Sequence, residues 1–140
     1  MTAVIKIEKT GGPEVLKTET IELDKPGPEE ILIEHKAIGL NFIDTYHRSG
    51  LYPVELPSGI GTEGSGVIKK IGSKVKDFSI GDRVAYAGTP LGAYSSQRNY
   101  PTKNLVKIPK DMDFDIAATL MTKGLTSYYL LCKAYPVTAN

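Results

Sequence analysis

Glycine and proline divide the first hundred or so residues into short β-rich segments, and this spacing limits the possible folds more than any other feature. Alternating apolar and polar residues in "AVIKIE" (3–8) and "LKTETIEL" (16–23) predict strands, and "EILIEHKAIGL" (30–40) predicts a longer one. The later segments that predict strands are "GVIKKIG", "DRVAYAG", "GAYSSQRNY" and "KNLVKIP". Several short strands separated by Gly/Pro turns predict a small β-barrel or sandwich.

The sequence changes character at residue 111, where helical patterns replace the strands. Asp113 can cap a helix through "FDIAATLM", Gly124 is expected to interrupt it, and "LTSYYLLCKAY" predicts a second helix. Cys132 lies in that apolar pattern, which predicts a buried thiol. Because it is the one cysteine of the chain, no internal disulfide can form. The predicted fold class is mainly β with C-terminal helices.

Charge and hydropathy exclude several classes of partner. The chain has 17 Lys and Arg against 16 Asp and Glu, and no run of like charge exceeds a pair such as Lys69 and Lys70. We therefore expect neither nucleic acid nor an anionic membrane as a partner. Lys6, Glu8 and Lys9 interrupt the N-terminus before a signal-peptide core could form, and no segment approaches the roughly 18 apolar residues of a membrane span. These features and the single cysteine predict a cytoplasmic location.

Residues 59–64, "GIGTEG", match the G-x-G-x-x-G pattern of dinucleotide-binding loops. That pattern indicates a phosphate site only when a strand precedes it and a helix follows it. Here the preceding "LYPVELPS" has the composition of a loop, and the following "SGVIKKIGSKV" predicts a strand. The glycines therefore predict tight corners and close backbone approach.

Four stretches together resemble one family: "KAIGLNFIDTYHRSGLYP", "GTEGSGVIKKIGSKVKDFSIGDRV", "GAYSS" and "KGLTSYYLL". The chain resembles the zinc-independent quinone oxidoreductases, including zeta-crystallin, of the medium-chain dehydrogenase/reductase superfamily. The resemblance implies a GroES-like β-barrel catalytic domain over residues 1–123. It also implies that residues 124–140 begin the segment that leads into a Rossmann domain missing from this sequence. By this resemblance the chain is an N-terminal portion, incomplete as an enzyme.

The same resemblance argues against a metal site. In zinc-dependent relatives the positions of Asn41 and Thr62 hold a cysteine and a histidine that bind catalytic zinc, and neither an amide nor a hydroxyl is a good zinc ligand. His35 and His47 are the only histidines, with no cysteine near either. We therefore predict no metal. Glu63, which matches the glutamate of the family's Gly-x-Glu motif, is expected to make a structural hydrogen bond.

The resemblance also implies which residues meet the cofactor and the substrate. Thr126, expected at the start of the last helix, would combine capping with a contact to the nicotinamide end of the cofactor. The residues alone leave open that Phe42 is plain core and that Asp44 merely caps a helical turn. The implied catalytic residues are Asn41 and Tyr46, and the implied cofactor-binding residues are Asn41, Phe42, Asp44, Tyr46, Thr62 and Thr126.

The expected function is transfer of reducing equivalents from NADPH to a quinone. Such hydride transfer needs little general acid or base catalysis from the protein, which orients the reactants and excludes water. An enone or enoyl-thioester reductase of the same superfamily and a non-catalytic GroES-like binding or structural module are the alternatives. The resemblance implies a homodimer at full length. For the chain alone we expect weak NADPH binding and exposed apolar residues such as Tyr128, Leu130 and Leu131.

Overall fold

A computed structural model describes residues 1–135 and 137–138. Eight strands form two antiparallel sheets. The three-stranded sheet has the order β2–β1–β4, and the five-stranded sheet has the order β7–β3–β5–β6–β8. The strands are β1 (Thr2–Ile7), β2 (Lys17–Ile21), β3 (Glu30–Gly39), β4 (Ser58–Gly59), β5 (Glu63–Ile71), β6 (Arg83–Ala87), β7 (Gln97–Pro101) and β8 (Leu105–Lys107).

The two sheets are joined along β1 and the segment that precedes β7. Val4 forms an isolated antiparallel bridge with Ser95, and the Ile5 N–H donates to the Tyr94 carbonyl at 2.8 Å. The predicted strands are present; β5 begins earlier than its pattern indicated, and β7 begins later, at Gln97. The mainly β fold class is confirmed.

The core lies on the inner face of the five-stranded sheet. Buried residues alternate in β7, as expected when one face of an antiparallel sheet turns away from water, whereas β3, β5 and β6 each contain a run of at least three buried residues. A smaller apolar cluster beneath the three-stranded sheet contains Ile7, Val15 and Ile60. The main cluster contains Ile31, Ile33, Ile68, Val84, Tyr86, Ala93, Tyr100 and Leu105.

The glycines of "GIGTEG" and the residues after it serve the packing of strands. Gly61 has φ +95°, a conformation that favours glycine, and strand β5 begins two residues later. Within β5, Gly66 pairs with His35 of β3, and a Cβ at Gly66 would collide with the Glu34 carbonyl oxygen. The segment therefore enters a strand, and the interpretation as close backbone approach is confirmed.

We expect Gly66→Ala to lower the free energy of unfolding by about 2 kcal/mol, because backbone atoms of β3 must move to admit the methyl group. Urea titration followed by circular dichroism measures the loss. Gly27→Ala is the matched control: the added Cβ there meets only the flexible Glu30 side chain. Equal stability of the two variants would contradict the strand-contact argument.

A short helix, α1 (Phe42–Ser49), follows β3 and was not predicted as a helix from the strand pattern. It begins after Asn41 and ends at Gly50, which has φ +88° and closes the helix in the left-handed conformation. Because Asn41 follows β3 closely, the end of that strand leads directly into the residues expected to form the site.

The C-terminal helical region is continuous, which corrects two sequence-based expectations. It contains α2 (Phe114–Thr119), a π-helical turn (Leu120–Gly124), α3 (Leu125–Tyr129) and a second π-helical turn (Leu130–Ala134). Gly124 has right-handed helical angles (φ −66°, ψ −47°) and does not interrupt the helix. Thr126 therefore does not lie at a free helix N-terminus.

The first π-helical turn has an identifiable cause. The Thr122 N–H donates to Glu63 Oε1 at 2.8 Å, so this N–H is directed to a side chain of β5. The Leu125 N–H in turn reaches the Leu120 carbonyl, five residues back. A contact with the sheet thus widens the helix locally, and such π-turns are common at functional sites.

The end of this helical region exposes its apolar side chains, as expected for Tyr128, Leu130 and Leu131, which are 52–55% exposed. Cys132 is also exposed, so the prediction of a buried thiol is wrong. The apolar spacing is present, but no described element covers this part of the helix. Within residues 1–135 and 137–138, no helix is long and apolar enough to cross a membrane.

Candidate active site

The side chain of Asn41 lies between a cation and a carboxylate. Its Nδ2 donates to Glu63 Oε2 at 2.7 Å, and its Oδ1 accepts from Lys123 Nζ at 3.0 Å. Glu63 is fully buried, and its other oxygen accepts the Thr122 N–H. Lys123 Nζ also donates to the Leu40 carbonyl at 3.0 Å. The end of β3, the start of β5 and the C-terminal helical region therefore meet at one amide.

The buried Asp44 carboxylate is the acceptor for a second group of polar residues. Its Oδ2 accepts the Asn41 backbone N–H at 3.0 Å and the Tyr94 hydroxyl at 2.8 Å, and its Oδ1 lies 3.4 Å from the Thr62 hydroxyl. Burial, followed by the bond to Asp44, raises the pKa of Tyr94 above its ordinary value, so the phenol remains a donor. Asp44 is 3% exposed and uses its oxygens within the protein. It holds the start of α1 against Thr62.

An aromatic cluster covers the neighbouring face of α1. The Phe42 ring meets Tyr46 edge to face at 5.3 Å between centroids, and Tyr46 lies 5.2 Å from Tyr52. Phe42 is 75% exposed, which rules out the alternative that it is plain core. Exposed aromatic rings beside a buried amide provide apolar faces next to a hydrogen-bond donor, as ligand sites commonly do.

A surface groove adjoins this cluster through His47. The His47 ring lies 6.1 Å from Tyr52 and lines a groove of about 440 Å³ with Pro57, Pro90 and Leu91 among its walls. That volume falls in the range typical of sites for small ligands. Larger concavities at Lys25 and at Glu8 lie among surface residues away from Asn41.

A buried polar cluster supports the wall of this groove from inside the sheet. Arg98 is 8% exposed, and its guanidinium donates to the carbonyls of Pro90 at 2.8 Å and Leu91 at 3.0 Å. The Tyr86 hydroxyl lies 3.4 Å from the same guanidinium and 2.8 Å from His35 Nε2. Burial raises the pKa of Tyr86 to about 12, so its hydroxyl stays protonated.

The donor set does not suit a metal ion. In the described part of the chain, no three His, Cys, Asp or Glu side chains come together as a possible metal site. The Asn41 oxygen already accepts from an ammonium, and the Thr62 hydroxyl is directed to Asp44. A cation at Asn41 would meet the positive charge of Lys123.

Three of the residues expected from the sequence come together, and three do not join them directly. Asn41, Asp44 and Thr62 form one hydrogen-bonded group. Phe42 and Tyr46 lie beside it in the aromatic cluster. Thr126 is exposed on α3, and among the residues described no hydrogen bond links its side chain to the others.

Sequence reasoning missed Lys123, Tyr52 and Tyr94 as members of this site. Signals for all three were available, because each lies in one of the stretches that carried the family resemblance. Composition alone could not select them: an exposed lysine and tyrosines on turns are common on any surface. Glu63 was expected to make a structural hydrogen bond, and it makes two.

Comparison with known proteins identifies the domain. The family model of the alcohol dehydrogenase GroES-like domain matches residues 27–110. The chain belongs to this domain family. The GroES-like domain here is 51% identical over 136 residues to a quinone oxidoreductase of Pseudomonas aeruginosa, covering 96% of this chain and 42% of the relative. It is 42% identical over 143 residues to a 2-haloacrylate reductase of a Burkholderia species, covering 98% of the chain and 43% of that protein.

A solved quinone oxidoreductase of Escherichia coli, in complex with NADPH, has the same fold. It superposes with a TM-score of 0.93 at 50% identity and covers 97% of this chain and 42% of its own length. The chain thus spans about two-fifths of the length of the relatives it matches. The GroES-like barrel expected from the sequence is confirmed.

Proposed function

We propose that this GroES-like domain forms the substrate-side wall of an NADPH-dependent quinone reductase. The observation that carries the proposal is the buried Asn41 amide, held by Glu63 and Lys123 beside the exposed ring of Phe42 and the half-buried ring of Tyr46. The high identity to quinone oxidoreductases, one of them solved with NADPH, supports it.

The residues present fit a flat redox pair. NADPH, when bound, supplies the hydride. Phe42, Tyr46 and Tyr52 offer ring faces and edges against which a planar ring can pack, and exclude water from it. One Asn41 N–H is used by Glu63, which leaves the second as a donor for a carbonyl oxygen of a ligand. Thr126, on the same helical region as Lys123, is proposed as a further cofactor contact.

The 2-haloacrylate reductase favours a second candidate, the reduction of a carbon–carbon double bond conjugated to a carbonyl or carboxylate group. A solved enoyl reductase, CurK, adds to this at 27% identity and a TM-score of 0.81. Both reactions deliver a hydride to a flat acceptor that carries an oxygen able to accept hydrogen bonds. They differ in the shape of the acceptor that packs against the aromatic cluster beside Asn41.

The test compares this chain with a chimera that continues it with the part of the E. coli quinone oxidoreductase beyond the aligned region. We expect the chimera to oxidise NADPH with 1,4-benzoquinone at least about tenfold faster than with 2-chloroacrylate, and the chain alone to be slow with both. Loss of NADPH absorbance measures both reactions. A folded chimera that prefers the acrylate would favour the second candidate.

Two variants of the chimera locate the site. Tyr46→Leu removes a ring from the aromatic cluster and is expected to raise the KM for NADPH or the quinone at least several-fold. Ile80→Ala, a change at a residue that is 64% exposed between β5 and β6, serves as the control and should leave KM unchanged. Equal effects of the two variants would contradict the placement of the site over α1.

A further inference from the structure

We infer that Lys123 is a positioning residue that fixes the Asn41 amide in one orientation, so that Asn41 offers a ligand only a hydrogen-bond donor. This deepens the proposed function, on which its catalytic meaning rests. It identifies the substrate class as one that presents an acceptor oxygen to Asn41, such as a ketone or quinone carbonyl.

The Asn41 amide has a cation at its oxygen end and a carboxylate at its nitrogen end. An ammonium can only donate hydrogen bonds, and an ionised carboxylate can only accept them. Lys123 Nζ lies 3.0 Å from Asn41 Oδ1, and Glu63 Oε2 lies 2.7 Å from Asn41 Nδ2. Both neighbours therefore favour the same orientation of the amide. If the amide were reversed, its NH₂ group would face the Lys123 ammonium and its oxygen would face the Glu63 carboxylate.

The hydrogen-bonding groups of Asn41 and Lys123 that remain free determine what a ligand can bind. Asn41 Oδ1 is held by Lys123, and one of its two N–H groups is held by Glu63. The group that remains is an N–H. Lys123 is exposed and has used two of its three N–H groups, on Leu40 and on Asn41. Both side chains therefore present donors, and the Lys123 charge favours the negative charge that develops on a carbonyl oxygen during hydride transfer.

Reduction of the acceptor needs two electrons and two protons. NADPH, when bound, would supply a hydride as one C–H bond of its nicotinamide breaks. The hydride would form a bond to the acceptor, and negative charge would be left on the carbonyl oxygen near Asn41. That oxygen would then take a proton from water. Two electrons and one proton leave the nicotinamide side as hydride, and the second proton comes from solvent.

A double-mutant cycle tests the fixed orientation without any cofactor. In Glu63→Gln, the new amide can accept the Thr122 N–H with its oxygen, and its NH₂ group then faces Asn41. The new amide and the Asn41 amide then lie between two donors, the Thr122 N–H and the Lys123 ammonium. Whichever way the two amides are turned, one pair of donors is left facing each other. With Lys123→Met, Asn41 is free to turn its oxygen to the NH₂ group of the new amide, and the conflict disappears.

We expect Glu63→Gln to reduce the folding equilibrium constant of this chain at least tenfold more in the wild-type background than in the Lys123→Met background. Urea denaturation of the four proteins measures this. Lys123→Arg keeps a donor-only cation and should preserve the full penalty. Lys133→Met, a change at another exposed lysine of the same helical region, is the matched control and should also preserve it. An equal penalty in the Lys123→Met and wild-type backgrounds would overturn the inference.

Kinetics of the chimera give a second, separable readout. Lys123→Met is expected to lower kcat for benzoquinone about tenfold or more, with a smaller change in the KM for NADPH, and Lys123→Arg to retain most of kcat. An unchanged kcat in a folded Lys123→Met chimera would overturn the catalytic part of the inference. Should the parent chimera reduce no acceptor, the proposed function fails, while the folding cycle still decides whether Lys123 orients Asn41.

Discussion

Asn41→Leu is expected to lower the free energy of unfolding of this chain by about 3 kcal/mol. The substitution nearly conserves volume, but it removes the donor to the fully buried Glu63 and leaves that carboxylate with the Thr122 N–H alone. Removing one partner of a buried charge is far costlier than removing both, because the remaining charge stays desolvated. Urea titration at neutral pH measures the loss.

The double variant Asn41→Leu/Glu63→Met separates this cause from simple mispacking. It replaces both polar partners with apolar side chains of similar size, so we expect it to be more stable than Asn41→Leu alone. The double variant also removes the acceptor of the Thr122 N–H, which costs about 1 to 3 kcal/mol. A further loss larger than this would show that the damage in Asn41→Leu comes from packing and that the buried carboxylate is not its source.

The second large effect is a loss of stability in mild acid, caused by His35. Burial, partly offset by the hydrogen bond to Ser95 and reinforced by the charge of Arg98, lowers the pKa of His35 from 6.5 to about 4. The Ser95 carbonyl, 2.7 Å from Nδ1, can only accept, so Nδ1 carries the proton. Nε2 then accepts from the Tyr86 hydroxyl, and the folded protein has no ready place for a second ring proton.

The direction in which the free energy of unfolding changes with pH follows from the protons that each state binds. The unfolded chain binds a proton at His35 near pH 6.5, and the folded chain only near pH 4. Between these values the unfolded state binds more protons, so the free energy of unfolding falls as the pH falls from 6.5 to 4. The loss attributable to His35 reaches up to about 3 kcal/mol, complete below pH 4.

Stability measured against pH in three proteins isolates this contribution. His35→Gln does not titrate and should flatten the curve between pH 6.5 and pH 4 relative to wild type. Ser49→Gln, a change at an exposed residue that does not titrate, is the control and should leave the slope of the curve unchanged. A ring titration of His35 near pH 6.5, followed by NMR in the folded protein, would contradict the prediction.

Local chemistry made most of the fold predictable. Alternation in residues 3–8 and 16–23 marked β1 and β2 because side chains of a strand point to opposite faces, a property of adjacent residues. The glycines of 59–66 were recognised as close contacts because a strand, and no helix, follows them. The helix α1 was not predicted, because its exposed Phe42 and half-buried Tyr46 do not give a core-facing apolar pattern.

The site was only partly predictable, and Thr126 shows why. Its expected place at a helix start depended on Gly124 breaking the helix, which is a local propensity of about 1 kcal/mol. The contact of Thr122 with Glu63 helps to hold the turn, and it joins residues 59 positions apart in the chain. A tertiary contact of this kind outweighs a weak local preference.

The order of strands and turns, the lack of good zinc ligands at positions 41 and 62, and the resemblance to the domain family all follow from the order of the amino acids. Which charged groups contact each other depends on the folded arrangement. Lys123 and Asn41 are 82 residues apart, and Asn41 and Glu63 are 22 apart. Alternation and turn propensity act between neighbours, whereas a hydrogen bond between distant side chains exists only once the sheets have closed and the helical region has packed against them.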